Sequence, residues 1–259
     1  APLVLEGAPR VSDLEAIARA GDGTLWLLAS QSVSHKGKRT DPRGQLLRAH
    51  VRGDRLEVDG HANLALAIGR LRDPAWLDSL GLVARDPGYR EGAAGFDRTL
   101  DIEGLAVDGA ALLLGLKRPL DSQGRALILR LEHPERLLAS GRLRKEDLRV
   151  WARVPLQAGP PGAGMAAGIA DLLPLPDGRV ALLATALGDA DEGRGDAGLH
   201  SALYVAERST ADGNLRPHLL RRIPGFHAEG LAMAPDGAGL RLIFDEGEAL
   251  PHWLRVPLP

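Results

Sequence analysis

The sequence predicts an all-β fold built from four repeated units of antiparallel strands, and three observations lead to this prediction. Four segments share one pattern: an acidic residue, a short apolar run, the dipeptide Asp-Gly, and a second apolar run. Asp-Gly between two such runs is a strong hairpin signal, because both residues tolerate the positive φ angles of tight turns. Further short apolar runs, bounded by glycine or polar residues, follow each hairpin.

Each unit contributes three or four predicted strands. The four hairpins begin at positions 13, 101, 169 and 227. Third strands are predicted at 45–51, 125–131, 201–206 and 252–256, and fourth strands at 55–58, 148–154 and 215–223. Radial repetition of such units leaves only short sheet edges exposed, so the expected architecture is a β-propeller. Four blades can be counted, and the pattern leaves the number open between four and five.

The two ends of the chain suggest how the ring closes. The last unit has no fourth strand, whereas an extra strand is predicted at residues 3–5, ahead of the first unit. We therefore expect the N-terminal strand to complete the last blade, since closure removes open sheet edges. Residues 1–259 then form a single domain, with insertions at about 60–100 and 187–199 that depart from the repeat.

One short helix is predicted inside the first insertion. Asp73 followed by Pro74 provides an N-cap and a proline at the first helical position. The helix then continues through residue 80, and Gly81 provides its stop. The second insertion is polar and rich in glycine, which is typical of an exposed loop.

Composition excludes several classes of function. The 32 Lys and Arg residues against 34 Asp and Glu give a net charge of -2, so the chain lacks the basic excess that grips nucleic acid. Three Phe, four Trp and two Tyr are too few for a base-stacking platform. The absence of cysteine excludes disulfides, thiolate metal sites and cysteine nucleophiles. No apolar run approaches the ~18–20 residues of a membrane span.

The beginning of the sequence bears on location. It reads Ala1-Pro2-Leu3, with neither a methionine nor a charged and apolar leader, an end that either cleavage of an export signal or removal of a tag would leave. A chain without cysteine also suits an oxidising compartment. We expect a periplasmic or secreted protein and leave a cytoplasmic location open.

Acidic residues open the hairpins. Side chains two residues apart share one face of a strand, so these acids should gather at the mouth of the channel if each hairpin begins the innermost strand of its blade. Gathered carboxylates raise one another's pKa values unless a cation offsets them. A hard divalent cation suits such a ring, and Ca²⁺ is the ion expected. The predicted metal ligands are Glu15, Glu103, Asp171 and Glu229. The alternative is structural: each acid accepts backbone N–H groups and holds neighbouring blades in register.

Two further groups are candidates for the same site. The loop after the second strand carries Ser32, Ser34 and His35. Serine with histidine can form a nucleophile and its base, but the chain has no Gly-x-Ser-x-Gly elbow, so ligand binding or capping is the preferred interpretation. Lys117 and Arg118 end a strand in the second unit and would recognise phosphate or carboxylate if they converge on the acids. Solvated loop charges are the alternative.

Several motifs resemble those of a known family. Asp-Ile-Glu-Gly-Leu-Ala at 101–106 and Ala-Glu-Gly-Leu-Ala at 228–232 resemble the signature of the phytase-like β-propeller superfamily, most similar to an uncharacterised bacterial branch. Segments 30–38, 115–120 and 168–173 are similar to motifs of that branch, although Ala170 stands where an arginine is expected. The resemblance covers roughly residues 11–246. It implies a propeller and does not imply a particular chemistry.

Two functions follow as hypotheses. In the first, the chain is a metal-assisted hydrolase of a phosphate or carboxylic ester, acting on a small anionic substrate at the channel mouth. His227 or His35 would be the general base, and Ser32, Ser34, Lys117 and Arg118 would bind the substrate. In the second, the chain is a non-enzymatic propeller that binds a small ligand or a protein, and the acids serve the architecture.

Overall fold

The computed structural model describes residues 4–33, 40–71, 73–80, 82, 100–159, 164–187, 200–208, 214–244 and 252–259. Within these residues, seventeen strands form four small sheets arranged around a common axis, as in a four-bladed β-propeller. The predicted all-β fold is confirmed. None of the described helices is long and apolar enough to cross a membrane.

Blade 1 and blade 2 follow the predicted hairpin order. Blade 1 has the order β1-β5-β4-β3-β2, and blade 2 has the order β6-β7-β8-β9. The strands of blade 1 are β1 (Val4–Glu6), β2 (Leu14–Arg19), β3 (Leu25–Ala29), β4 (Gln45–Arg52) and β5 (Arg55–Asn63). The strands of blade 2 are β6 (Asp101–Asp108), β7 (Ala111–Arg118), β8 (Ala126–Leu131) and β9 (Leu148–Val154).

Blade 3 and blade 4 continue the pattern. Blade 3 has the order β10-β11-β12-β13-β14, and blade 4 has the order β15-β16-β17. The strands of blade 3 are β10 (Gln157–Ala158), β11 (Met165–Pro174), β12 (Val180–Ala186), β13 (His200–Arg208) and β14 (Leu215–Pro224). The strands of blade 4 are β15 (Ala228–Met233), β16 (Gly239–Phe244) and β17 (Trp253–Pro257).

The N-terminal strand does not complete the last blade, so the predicted closure is wrong. Strand β1 runs parallel to β5, with Val4 opposite Arg55, and forms the outer edge of blade 1. Leu5, Ala8 and Val11 pack against the apolar cluster on that blade. The segment lies there because it covers apolar surface that blade 1 would otherwise expose. Blade 4 has three strands among the described residues.

Apolar clusters join consecutive blades. One contains Leu28 of blade 1 with Leu114 of blade 2, and a second contains Ile128 of blade 2 with Leu182 of blade 3. A third contains Leu183 of blade 3 and reaches into blade 4. Leu182 and Leu183 are sequence neighbours that point to opposite faces of their strand. Because the blades are buried on both faces, their strands consist of nearly continuous Leu, Ala and Val.

Among the described residues, three short helices lie outside the sheets: α1 (Leu64–Gly69), α2 (Pro74–Ser79) and α3 (Pro134–Ser140). The predicted helix is α2, and the carboxylate of Asp73 accepts the Trp76 N–H at 3.0 Å, as its N-cap position predicts. Helices α1 and α3 were not predicted. Residues 83–99 of the first insertion and 188–199 of the second lie outside the described residues.

Candidate functional site

A β-bulge interrupts the first hairpin strand of every blade. In blade 1, Leu14 pairs with Ala29 and Ala16 pairs with Leu28, so Glu15 is an extra residue without a partner in the ladder. A bulge of this kind bends the strand and redirects the extra side chain. The equivalent extra residues of the other blades are Glu103, Ala170 and Glu229. Three of the four predicted acids therefore share one structural position.

Asp171 is the exception, and its predicted equivalence to the other acids is wrong by one residue. The register shift in blade 3 falls between Ile169 and Asp171, which leaves Ala170 at the bulge. The two carboxylate oxygens of Asp171 accept the N–H groups of Leu172 at 2.8 Å and of Leu231 in blade 4 at 2.7 Å. Burial raises the pKa of Asp171 to about 8, and backbone N–H groups, including that of Leu105 in blade 2, oppose the rise. These contacts correspond to the structural alternative, in which an acid holds blades in register.

Four carboxyl groups from adjacent blades meet where β2 and β6 begin. We call this group the acidic cluster, and it consists of Asp13, Glu15, Asp101 and Glu103. Burial is the main effect on Glu15 and, together with Glu103, Asp13 and Asp101, raises the pKa of Glu15 to about 9. The side chain of Asp13 is also a hydrogen-bonding neighbour of Glu15. Glu15 therefore carries a proton at neutral pH.

Lys117 joins the acidic cluster as an ion-pair partner. Its ammonium donates to the Glu103 carboxylate at 2.9 Å, and the two residues are only 7% and 9% exposed. Burial raises the pKa of Glu103 to about 7, and the opposing effect of Lys117 reduces this rise without cancelling it. Lys117 lies beside the acids, as the sequence predicts, but its charge neutralises Glu103 within the protein.

Close packing between blades 2 and 3 fixes the position of the Lys117 backbone. A Cβ atom on Gly168 would lie 2.1 Å from the Lys117 carbonyl oxygen, so glycine alone lets the two strands approach. A Cβ on Gly115 would lie 2.6 Å from the Ile169 side chain, and one on Gly104 would lie 2.6 Å from that of Leu172. The glycines of the motifs at 101–106, 115–120 and 168–173 therefore serve the junction between these blades.

A polar network holds residues 30–32, which follow β3. The hydroxyls of Ser30 and Ser32 are 2.9 Å apart, and Arg43 donates to the Ser32 hydroxyl at 2.7 Å. Arg43 also forms an ion pair with Asp13 of the acidic cluster. Asp13 and Gln31 have φ angles of 60° and 59°, in the left-handed region that non-glycine residues rarely adopt. Such backbone strain clusters at functional sites.

Of the remaining predicted site residues, His227 and Arg118 are described by the structure. His227 Nδ1 lies 3.1 Å from the Glu229 carboxylate, and His227 is close enough to lower the pKa of Glu103. Arg118 lies opposite Asp101 in the ladder between β6 and β7, beside the acidic cluster. Ser34 and His35 lie outside the described residues.

The predicted metal ligands are not brought together as a cation site. In the described part of the chain, no group of three His, Asp or Glu side chains is placed so that it could hold a metal ion. Both oxygens of Asp171 accept backbone N–H groups, and Glu103 binds Lys117. These acceptors do not fit the all-oxygen cage that Ca²⁺ requires, and we derive no step through a metal. The Ca²⁺ expectation stays a prediction.

Sequence reasoning missed Arg43. It follows Asp41-Pro42 in a short 3₁₀ turn, a pattern that predicts local structure alone. Its partner Asp13 lies thirty positions earlier, directly before β2, and an ion pair across that separation has no local signal. The only hint is the length of the polar segment between β3 and β4, which exceeds that of a tight turn.

Comparisons with known proteins find likeness at the level of solved structures only. No protein-family model matches the chain, and no curated protein matches it. An engineered GH43 glycoside hydrolase is 14% identical over 95% of this chain and 38% of its own, with a TM-score of 0.46. An endo-arabinase from Bacteroides thetaiotaomicron is 11% identical over 99% of this chain and 83% of its own, with a TM-score of 0.43.

A protein from Lactobacillus plantarum is 14% identical over 95% of this chain and 55% of its own, with a TM-score of 0.34. This chain thus spans about half or less of the length of that protein and of the glycoside hydrolase. Likeness at these scores transfers no activity to this chain. The resemblance to the phytase-like superfamily is not confirmed by it and stays a prediction.

Proposed function

We propose that the chain is a hydrolase of small phosphate or carboxylic esters, with its site at the acidic cluster. One observation carries the proposal: Glu15 and Glu103 occupy the same bulge position in adjacent blades, and Glu15 is the member that keeps its proton. A protonated carboxyl group can give its proton to the leaving oxygen of an ester. Carboxyl groups whose environments separate their pKa values are typical of acid–base catalysis.

His227 is the proposed general base. Its Nδ1 faces the Glu229 carboxylate at 3.1 Å, which favours the tautomer that bears its proton on Nδ1. The other ring nitrogen, Nε2, is then free of that proton and can accept one from an attacking water molecule. His227 and Glu15 thus supply the base and the acid that ester hydrolysis requires.

Charge balance supports an anionic substrate in spite of the four acids. Glu15 is neutral, Lys117 neutralises Glu103, and Arg43 neutralises Asp13. Arg118 lies opposite Asp101, the fourth acid, in the ladder between β6 and β7, and its positive charge offsets that carboxylate where a phosphate or carboxylate group would bind. The cluster is therefore far less negative than its four carboxyl groups suggest.

The proposal is tested by measuring hydrolysis of aryl phosphates and aryl carboxylic esters, with and without added Ca²⁺ and a chelator. Glu15→Gln removes the proton donor and should lower kcat by about 10²–10⁴-fold, the usual contribution of a general acid. Glu57→Gln, on an exposed position of β5, is the matched control and should retain parental rates. Equal rates in Glu15→Gln and the parent, or an inactive parent, would contradict the proposal.

A second candidate is a non-enzymatic propeller that binds a ligand or a protein, with structural acids. The contacts of Asp171 with two backbone N–H groups and the buried pair of Glu103 with Lys117 favour it. Thermal unfolding of Glu103→Gln discriminates between the candidates. A large loss of stability in a chain that hydrolyses none of the esters would favour the second candidate.

A further inference from the structure

Arg43 connects two parts of the chain at the edge of the acidic cluster. Its guanidinium donates to the Ser32 hydroxyl at 2.7 Å and forms an ion pair with Asp13. The side chain is 21% exposed, and its Nε atom is buried without a hydrogen-bond partner among the described residues. The guanidinium is thus largely enclosed between the Ser32 loop and the start of β2.

Backbone hydrogen bonds fix the position from which Arg43 acts. The Gln31 N–H donates to the Arg43 carbonyl at 2.8 Å, and the Ser12 N–H donates to the Pro42 carbonyl at 3.1 Å. The 3₁₀ turn Asp41–Gly44 is therefore bonded both to the loop after β3 and to the segment before β2. Because the turn is hydrogen-bonded on both sides, the backbone position of Arg43 is fixed.

Asp13 is the residue that needs this support. Its φ of 60° costs free energy for a residue with a Cβ, and such a conformation persists only where the surroundings enforce it. The Ser30 N–H donates to the Asp13 carbonyl at 2.9 Å, and Arg43 holds the Asp13 carboxylate. In this conformation the Asp13 side chain lies in hydrogen-bonding contact with Glu15.

We infer that Arg43 is a positioning residue for the proposed reaction: it holds Asp13 against Glu15 and thereby orients the Glu15 carboxyl group toward the substrate. The inference rests on the proposed function. Arg43 acts through Asp13 and does not itself touch the reacting atoms. The Asp13 carboxylate accepts from Arg43 on one side and contacts Glu15 on the other. Loss of the guanidinium would free Asp13 to leave its strained conformation and release Glu15.

The test compares Arg43→Gln and Arg43→Lys with the parent and with Arg52→Gln, a control at an exposed position of β4. Arg43→Gln should lower kcat about 10- to 100-fold with little change in KM, because a misplaced acid affects the chemical step more than binding. Arg43→Lys keeps a cation beside Asp13 and should recover part of kcat. Arg52→Gln should match the parent.

Amide hydrogen exchange provides a readout that does not depend on activity. The Ser30 amide, which donates to Asp13, should exchange at least about tenfold faster in Arg43→Gln, while the amides of β7 in blade 2 keep their parental rates. If the parent hydrolyses no ester, the proposed function fails, and the Ser30 amide then decides only whether Arg43 holds Asp13 in place. Unchanged Ser30 exchange, parental kcat in Arg43→Gln, or faster exchange throughout all blades would each overturn it.

Discussion

At Glu15, burial and three neighbouring carboxyl groups shift the proton equilibrium in the same direction. The spacing of Asp13 and Glu15 predicts that these carboxyl groups lie together and raise one another's pKa values. It does not predict which group keeps the proton, because that depends on Lys117 of the paired strand β7 and on Arg43 of the 3₁₀ turn, which neutralise Glu103 and Asp13. The sequence therefore predicted that the acids lie together, but it did not predict which of them is protonated and which are ion-paired.

The pH dependence of stability follows from Glu15. Its pKa is about 9 in the folded chain against an ordinary value of 4.5, so the folded chain holds this proton more tightly. The stability that Glu15 contributes is complete below about pH 4.5 and is lost as pH rises to about 9. Urea unfolding between about pH 5 and pH 9 should therefore show a free energy of unfolding that falls less steeply in Glu15→Gln than in the parent. Equal slopes would contradict this expectation, and Glu57→Gln is the control.

Asp171 gives a prediction of stability rather than activity. Asp171→Ala leaves the N–H groups of Leu172 and Leu231 without their acceptor and should cost about 1–3 kcal/mol for each unsatisfied group. Asp171→Asn retains one acceptor oxygen and should cost less. Asp54→Asn, at a side chain that is 93% exposed, is the control. Urea unfolding measures the differences, and an Asp171→Ala chain as stable as the control would show that these bonds do not hold the blades.

At the level of elements, the hairpins were predictable and the bulges were not. Asp-Gly turns and alternating apolar runs place most strands to within a few residues, as β9 (Leu148–Val154) shows. A bulge adds one residue without a compositional signal. Aligning the repeats on acidic residues therefore matched Asp171 to Glu15, whereas the backbone register matches Ala170 to Glu15. Because of this error of one position, Asp171 was predicted to be a metal ligand, whereas it accepts backbone hydrogen bonds.

The junction of blades 2 and 3 gives the prediction at this scale. Gly168→Ala would place a Cβ atom 2.1 Å from the Lys117 carbonyl, so β7 and β11 must move apart. Overpacking of this kind costs about 1–3 kcal/mol, and the shift of Lys117 should weaken its ion pair with Glu103. Gly21→Ala is the control, because a Cβ there meets nothing within 4 Å. Thermal unfolding of both variants is the measurement, and equal stability would contradict the close approach.

For the whole molecule, the order of the residues correctly predicted strands. Stacked blades are buried on both faces, so Leu and Ala runs that would suit a helix serve as strands. The sequence did not allow a correct prediction of the blade that β1 joins. A three-residue apolar strand such as β1 fits the edge of either the first or the last blade, and only the apolar face of blade 1 decides between them.

The position of β1 can be tested with neighbouring residues that differ in burial. Leu5 packs on the apolar cluster of blade 1, whereas Val4 is 50% exposed. Leu5→Ala should lower stability by about 1–2 kcal/mol, within the usual range for loss of partly buried apolar contacts, and Val4→Ala should change it by less than about 0.5 kcal/mol. Urea unfolding of the two variants is the measurement. Equal effects would show that the segment does not cover blade 1 as described.

Glu15 is the carboxyl group of the acidic cluster that we expect to keep its proton, and carboxyl carbon NMR measures this most directly. The ¹³C signal of the Glu15 carboxyl group, assigned by its absence in Glu15→Gln, is followed from about pH 4 to about pH 10. We expect an inflection of the Glu15 signal near 9. An inflection of Glu15 near 4.5 would contradict the account, because Glu15 would then hold no proton to donate at neutral pH.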